Sequence, residues 1–229
     1  SRNIEKANNY VRQSADFNYF AAMQGFDLNG KTLGVVGTGK IGKNVAKIAQ
    51  GFGMNVVAYD LYPDLVFAKE NNLKDNFLYK SLNEVVAQAD ILTLHAPYTK
   101  DNYHLINKEN IATMKRGSFL INTARGELVD TDALVWGLKE GIIAGVGLDV
   151  LEGEQELKEE IELLSRSSGS MKMEEYKTLL EDRMLIDMPN VIITPHIAFY
   201  TREAVAEILK ITVENIKSFL AGAPTNLVK

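Results

Sequence analysis

From Leu33 onward the chain alternates short, β-rich apolar runs with stretches of helical period, and no other feature restricts its fold so strongly. LGVV (33–36) precedes a helical stretch over 40–53, NVVAYD (55–60) one over 65–71, and NFLY (76–79) one over 82–88. ILTL (91–94) and SFLIN (118–122) then lead to a helix over 131–140 and to IAGVGLDV (143–150). Strands spaced by helices in this way predict an α/β fold, a doubly wound parallel sheet with flanking helices. Local punctuation agrees with this register. Ser81 to Glu84 reads as a capping box, Asp130 or Thr131 caps the next helix, and Gly141 stands where that helix must stop.

Both ends depart from the alternation. Apolar residues at Ile4, Ala7, Val11, Ala15 and Phe20 predict an opening helix over 1–24, closed by Gly25. Asn29-Gly30, between Phe26–Leu28 and Thr32–Val36, suits a tight hairpin turn. The segment 155–190 is charged and helical in composition and is interrupted by SRSSGS (165–170), which predicts two helical pieces joined by a flexible turn in a solvated insertion. VIIT (191–194) restores a strand, and Thr201 to Ala221 forms a long helix ended by Gly222 and Pro224. The expected division is 1–24 as a hinge helix, 25–200 as the main domain and 201–229 as C-terminal helix and tail.

A 46% hydrophobic content suffices for a packed core, and a net charge of −5 without a Lys/Arg cluster excludes nucleic acid as an expected partner. The absence of cysteine removes disulfides, thiolate metal sites and a thiol nucleophile and fits a reducing cytoplasm, and no metal is among the expected ligands. No apolar stretch reaches the roughly 18 residues of a membrane span, and the N-terminal residues lack the apolar core of a signal peptide. A membrane is therefore not an expected partner.

Gly37-Thr38-Gly39-Lys40-Ile41-Gly42 follows the first strand and opens a helix. In that setting Gly37 permits a tight turn, Gly39 lets backbone amides approach a pyrophosphate, and Gly42 allows close helix-to-strand packing. The helix N-terminus adds positive partial charge. Asp60, 23 residues after Gly37 and at a strand end, suits the ribose hydroxyls and opposes a 2′-phosphate, and 61–65 (LYPDL) offers no Arg or Lys to hold one. The pattern predicts a Rossmann-type unit that binds NAD in preference to NADP. The plainer alternative makes Asp60 a turn residue before Pro63.

Three other stretches end predicted strands, where ligands of open α/β sheets bind: His95 to Thr99, Asn122 to Gly126, and Gly147 to Val150. Past the insertion comes Thr194 to Thr201. Singly, these residues are ordinary: Arg125 serves equally in an ion pair near a helix, Glu154 in the charged run EGEQELKEE, and His196 as a turn residue after Pro195. Together and in order, GTGKIG, AYD, HAP, NTARG, GLDVLEGE and TPHIAFYT resemble the D-2-hydroxyacid dehydrogenase family, and closest its D-lactate dehydrogenase branch. The resemblance runs from Lys6 to about Ala223.

That resemblance implies roles. Arg125 matches the arginine that holds the substrate carboxylate, His196 the catalytic acid/base, and Glu154 its carboxylate partner. Thr123, Ala124 and Asp149 match residues near the nicotinamide, and Ala96, Pro97 and Asn102 the cofactor-side loop. His95 is taken as a residue of that loop and not a second base, His104 as a surface or helix-start residue. Phe199 is expected to line the substrate pocket. An imidazole exchanges protons near neutral pH and a neighbouring carboxylate fixes its tautomer, while a guanidinium fork grips a carboxylate and cannot lose its charge. The family also carries a substrate-side domain formed mainly by chain preceding the opening helix, and the sequence is read as lacking it. A homodimer is implied by analogy. An NAD(H)-sensing corepressor on the same fold is the alternative, against which the intact Arg125, Glu154 and His196 set argues.

Overall fold

The computed structural model describes residues 1–70, 77–154 and 173–227. After helix α1 (Ile4–Ser14), strand β1 (Thr32–Val36) leads through α2 (Lys40–Gly51) to β2 (Asn55–Tyr59), and α3 (Leu65–Glu70) precedes β3 (Phe77–Tyr79). Then follow α4 (Leu82–Gln88), β4 (Ile91–Leu94), α5 (Lys108–Ile111), β5 (Ser118–Asn122), α6 (Thr131–Lys139) and β6 (Ile143–Leu148). The described chain closes with α7 (Met173–Asp187), β7 (Val191–Ile193) and α8 (Arg202–Leu220). Among the described residues one seven-stranded sheet runs in the order β3-β2-β1-β4-β5-β6-β7, with every neighbouring pair parallel.

Successive residues of a strand face opposite sides, and the core shows it. Leu33, Val35, Val56 and Ala58 pack with Ala46 and Ala49 of α2, whereas Val36 and Val57 pack with Val85 and Val86 of α4. Helices therefore cover both faces, as the alternation requires. The chain reverses its winding between β1 and β4, and their carboxyl ends open the crevice where such sheets bind ligands.

Several local expectations hold in detail. Ser81 and Glu84 form both halves of a capping box, Asp130 caps α6 by accepting from Ala133 N–H at 3.1 Å, and Gly141 takes φ 65° where α6 has ended. Thr201 caps α8.

Other expectations are corrected. The opening helix does not run to residue 24: it ends at Ser14, with Ala15 left-handed, and only a short 3₁₀ turn follows at Ala21–Met23. Asp16 is the cause, since its side chain accepts from Asn18 N–H and from the Tyr10 hydroxyl and so draws the backbone into a local turn. Asn29-Gly30 does turn the chain, but residues 26–28 form no strand. β1 has β2 and β4 on its two edges, so no hairpin partner can pair there. The first helical piece expected within 155–190 lies outside the described residues. The second is α7, and it is no solvated appendage: Leu185 enters the main core, and the buried Asp182 accepts from Gly153 N–H at 3.0 Å.

Candidate active site

The glycine turn shows, position by position, why each glycine is present. Gly37 has φ 91°, and a Cβ there would stand 2.5 Å from the Ala96 nitrogen and 2.7 Å from the His95 carbonyl carbon. The turn is thus pressed against the strand-end loop of β4. A Cβ on Gly42 would stand 2.0 Å from the Gly37 carbonyl oxygen, so α2 packs directly on its own approach. At Gly39, the N-cap of α2, a Cβ would meet nothing within 4 Å. The open side of the turn thus leaves room for a phosphate group before the helix N-terminus, with the amides of the first turn behind it.

Beside this turn, Asp60 accepts from Thr38 N–H at 2.6 Å and the Thr38 hydroxyl at 2.8 Å with one oxygen, and from Tyr62 N–H at 2.9 Å with the other. Burial alone would raise its pKa. The bonds from Tyr62 and Thr38 and the charge of Lys43 outweigh that and hold it below the usual range. Three of the about four acceptor positions of a carboxylate are then used, which leaves one for a ligand hydroxyl. On the β4 side, burial pushes the His95 imidazole down to about 4, with its Nε2 at 3.0 Å from the Thr93 hydroxyl. A neutral ring there suits a loop residue. Asn102 closes that loop, donating to the Pro97 carbonyl at 2.8 Å and accepting from Thr99 N–H at 2.7 Å.

Further along the carboxyl edge the groups are side chains. The buried Asn122 shapes the turn after β5: its amide donates to the Arg125 carbonyl at 2.7 Å and its oxygen accepts from Ala124 N–H at 3.0 Å. Thr123 and Arg125 stand exposed on that turn, and the Arg125 guanidinium donates to the Ala124 carbonyl at 2.6 Å. After β6, Glu154 approaches His196 Nδ1 at 3.1 Å through one oxygen and 3.3 Å through the other. The Phe199 ring lies edge-on to the imidazole with centroids 6.5 Å apart.

Asp149 organises this corner in a way its sequence position did not suggest. Only 4% exposed, it accepts from the Thr194 hydroxyl at 2.5 Å, from Ile197 N–H at 2.9 Å and from Ala198 N–H at 2.8 Å, while its carbonyl accepts from His196 N–H at 2.9 Å. The carboxylate is thereby committed to the loop that carries His196, whose φ of 54° is a strained value for a non-glycine residue. Burial would raise the Asp149 pKa, but the bonds from Thr194, Ala198 and Ile197 and the nearby His196 lower it on balance.

Sequence reasoning also missed Glu152. It accepts from the Tyr103 hydroxyl at 2.8 Å and the Thr131 hydroxyl at 2.8 Å, and meets His104 Nε2 at 2.6 Å, so His104 is a half-buried partner and not a surface residue. This ties the segment leading to Glu154 to the loop after β4 and to the start of α6. No local signal marks it, because the partners lie 48 and 49 residues apart. Adjacent strands stand about 4.8 Å apart, so the row from Asp60 after β2 to His196 after β7 crosses five spacings, on the order of 24 Å.

A doubly wound sheet with a glycine turn at its switch point and an acid at the end of β2 defines a dinucleotide-binding domain. Comparison with known proteins narrows this. A family model described as "D-isomer specific 2-hydroxyacid dehydrogenase, NAD binding domain" matches residues 1–198, and the chain belongs to that family. Over 216 residues it is 42% identical to an aromatic 2-oxoacid reductase of Clostridium sporogenes, covering 92% of this chain and 60% of the relative. It is 36% identical over 218 residues to a D-lactate dehydrogenase of Lactiplantibacillus plantarum, covering 92% of this chain and 61% of that one. The solved structure of a D-lactate dehydrogenase from Aquifex aeolicus, complexed with NAD and lactic acid, superposes with TM-score 0.83 at 37% identity, covering 97% of this chain and 62% of that one. The chain thus spans about three fifths of the length of these relatives.

Proposed function

We propose that the chain is the NAD-binding and proton-transfer side of an oxidoreductase that interconverts a small 2-oxo acid and its D-2-hydroxy acid, of the lactate type. The observation that carries this reading is the pairing of His196 with Glu154 on the sheet edge that also presents Arg125. The glycine turn and Asp60 would hold NAD(H), which when bound would supply or accept the hydride.

The protein's own residues do the rest. Arg125 offers a planar, permanently charged fork to the substrate carboxylate. Glu154, accepting from Nδ1, fixes the ring so that Nε2 carries the proton delivered to the developing alkoxide during reduction and withdrawn from the hydroxyl in the reverse direction. Asp149, through the 194–198 loop, sets where that ring stands. Thr123, Ala124, Ala96, Pro97 and Asn102 line or shape the cofactor side, and Phe199 walls the pocket beside the imidazole.

α1 and α8 bury none of their residues among the described ones, and Ile4, Phe219 and Leu220 are exposed. Such apolar faces support assembly with further protein, here proposed as a homodimer in the cytoplasm. No helix among the described residues is long and apolar enough to cross a membrane. The test follows NADH absorbance with pyruvate and phenylpyruvate, using the full-length protein that contains this chain. NADH consumption that saturates with a 2-oxo acid is expected. NADH binding without consumption of any 2-oxo acid overturns the reading.

A further inference from the structure

Residues 61–65 hold no basic residue, yet the fold delivers one there from a different element. Lys43 lies in the first turn of α2, and its ammonium group is paired with Asp64 in the loop between β2 and α3. The pair belongs to a continuous chain of contacts that ends at the ribose acid. Asp60 accepts from the Thr38 hydroxyl at 2.8 Å, Tyr79 donates to that hydroxyl at 3.0 Å, and Asp64 N–H donates to the Tyr79 oxygen at 3.2 Å. The Lys43 charge reaches Asp60 and helps keep it ionised. Below the ammonium lies the buried Phe67 ring, 5.2 Å away, which leaves the charge an apolar floor on one side.

We infer that Asp64 is a second cofactor-selecting residue: by neutralising Lys43 it withholds from a 2′-phosphate the cation that the phosphate helix carries to the ribose end of the site. This rests on the proposed placement of the ribose at Asp60. Two carboxylates then disfavour NADPH by different routes. Asp60 opposes the phosphate charge directly, and Asp64 occupies the group that would have compensated it. The other oxygen of Asp64 accepts from Val66 and Phe67 N–H, both at 3.1 Å, and so caps α3. Asparagine caps about as well as aspartate, so Asp64→Asn removes the charge and keeps the cap.

The experiment measures Kd for NADH and NADPH by nicotinamide fluorescence in the parent, Asp64→Asn, Asp64→Asn/Lys43→Met and Asp60→Ala proteins. Asp64→Asn should lower the ratio of the NADPH to the NADH Kd by roughly three- to tenfold, the range of a partly exposed phosphate–ammonium contact. The gain should weaken with added salt and vanish when Lys43→Met is added. An unchanged ratio in Asp64→Asn, or a gain that survives Lys43→Met, overturns the inference while leaving the Asp60 reading intact provided Asp60→Ala weakens NADH binding. If Asp60→Ala leaves NADH binding unaltered, the ribose does not sit at the end of β2 and both readings fall.

Discussion

At the β1 end of the carboxyl edge the groups proposed to meet the cofactor phosphates are main chain, locked by glycine contacts as short as 2.0 Å to a hypothetical side chain, and flanked by a buried Thr38. At the β5–β7 end they are side chains on loops: Arg125 is exposed, Phe199 is 48% exposed, and His196 stands in a left-handed conformation held by hydrogen bonds to Asp149. The first region is built on one βαβ unit and braced by the loop after β4 and by Tyr79 of β3. The second is assembled from three strand ends and depends on cross-loop bonds to set its geometry. Cofactor affinity should accordingly tolerate changes in the second region, and turnover should be sensitive to both.

The largest expected effect separates the two. His196→Ala, in the full-length protein, should lower turnover by roughly 10²- to 10⁴-fold while NADH affinity stays within about twofold. Stopped-flow NADH consumption beside a fluorescence titration measures both, and ordinary turnover would remove His196 as the acid. Next comes Gly37→Ala, which forces a Cβ into the β4 loop from a positive-φ position. A cost of about 3 kcal/mol is expected, read as a lowered Tm together with a roughly 100-fold weaker NADH Kd. If Gly37→Ala bound NADH normally, the rigid-cradle side of the comparison would fail.

Asp149→Asn sharpens the contrast from the other side. Loss of the charged acceptor should cost about 1 to 3 kcal/mol and slow turnover, with NADH affinity much less affected than in Gly37→Ala. The pH dependence has a definite sign. The folded pKa of Asp149 lies below its unfolded value, so its contribution to stability is complete above the unfolded value of about 3.9 and is lost as pH falls from there through the lower folded value. Urea midpoints measured down that range should fall less steeply in Asp149→Asn than in the parent. The smallest effect is that of Asp60→Ala, expected to weaken NADH binding by roughly tenfold or less and to narrow the preference over NADPH. Equal affinities for the two cofactors in the parent would remove the argument from Asp60.

Much of this was legible in the chain because it is local. Strand and helix periods, the Ser81 box, the three glycines and the strand-end acid all depend on residues a few positions apart, and the described elements follow them closely. Where a local signal misled, a competing local one explains it: Asp16 turns the backbone before the apolar spacing of α1 can extend past Ser14. The family pattern likewise brought His196 and Glu154 to one place, 42 residues apart.

What only the tertiary structure decided is which distant side chains share a hydrogen bond. Asp149 reads as a strand-end acid facing a ligand, but its carboxylate is taken by Thr194, Ile197 and Ala198, because β6 and β7 lie side by side and the loop folds back over the buried acid. Glu152 reads as one charge in an acidic run, yet it closes on Tyr103, His104 and Thr131. Lys43 lies on α2, and the path of the β2–α3 loop sets Asp64 against it. Periodicity fixes which face a residue takes on its own element and carries no information about the path of a loop from another. A buried or half-buried charge must still find a partner, and that partner is chosen by strand order and loop course.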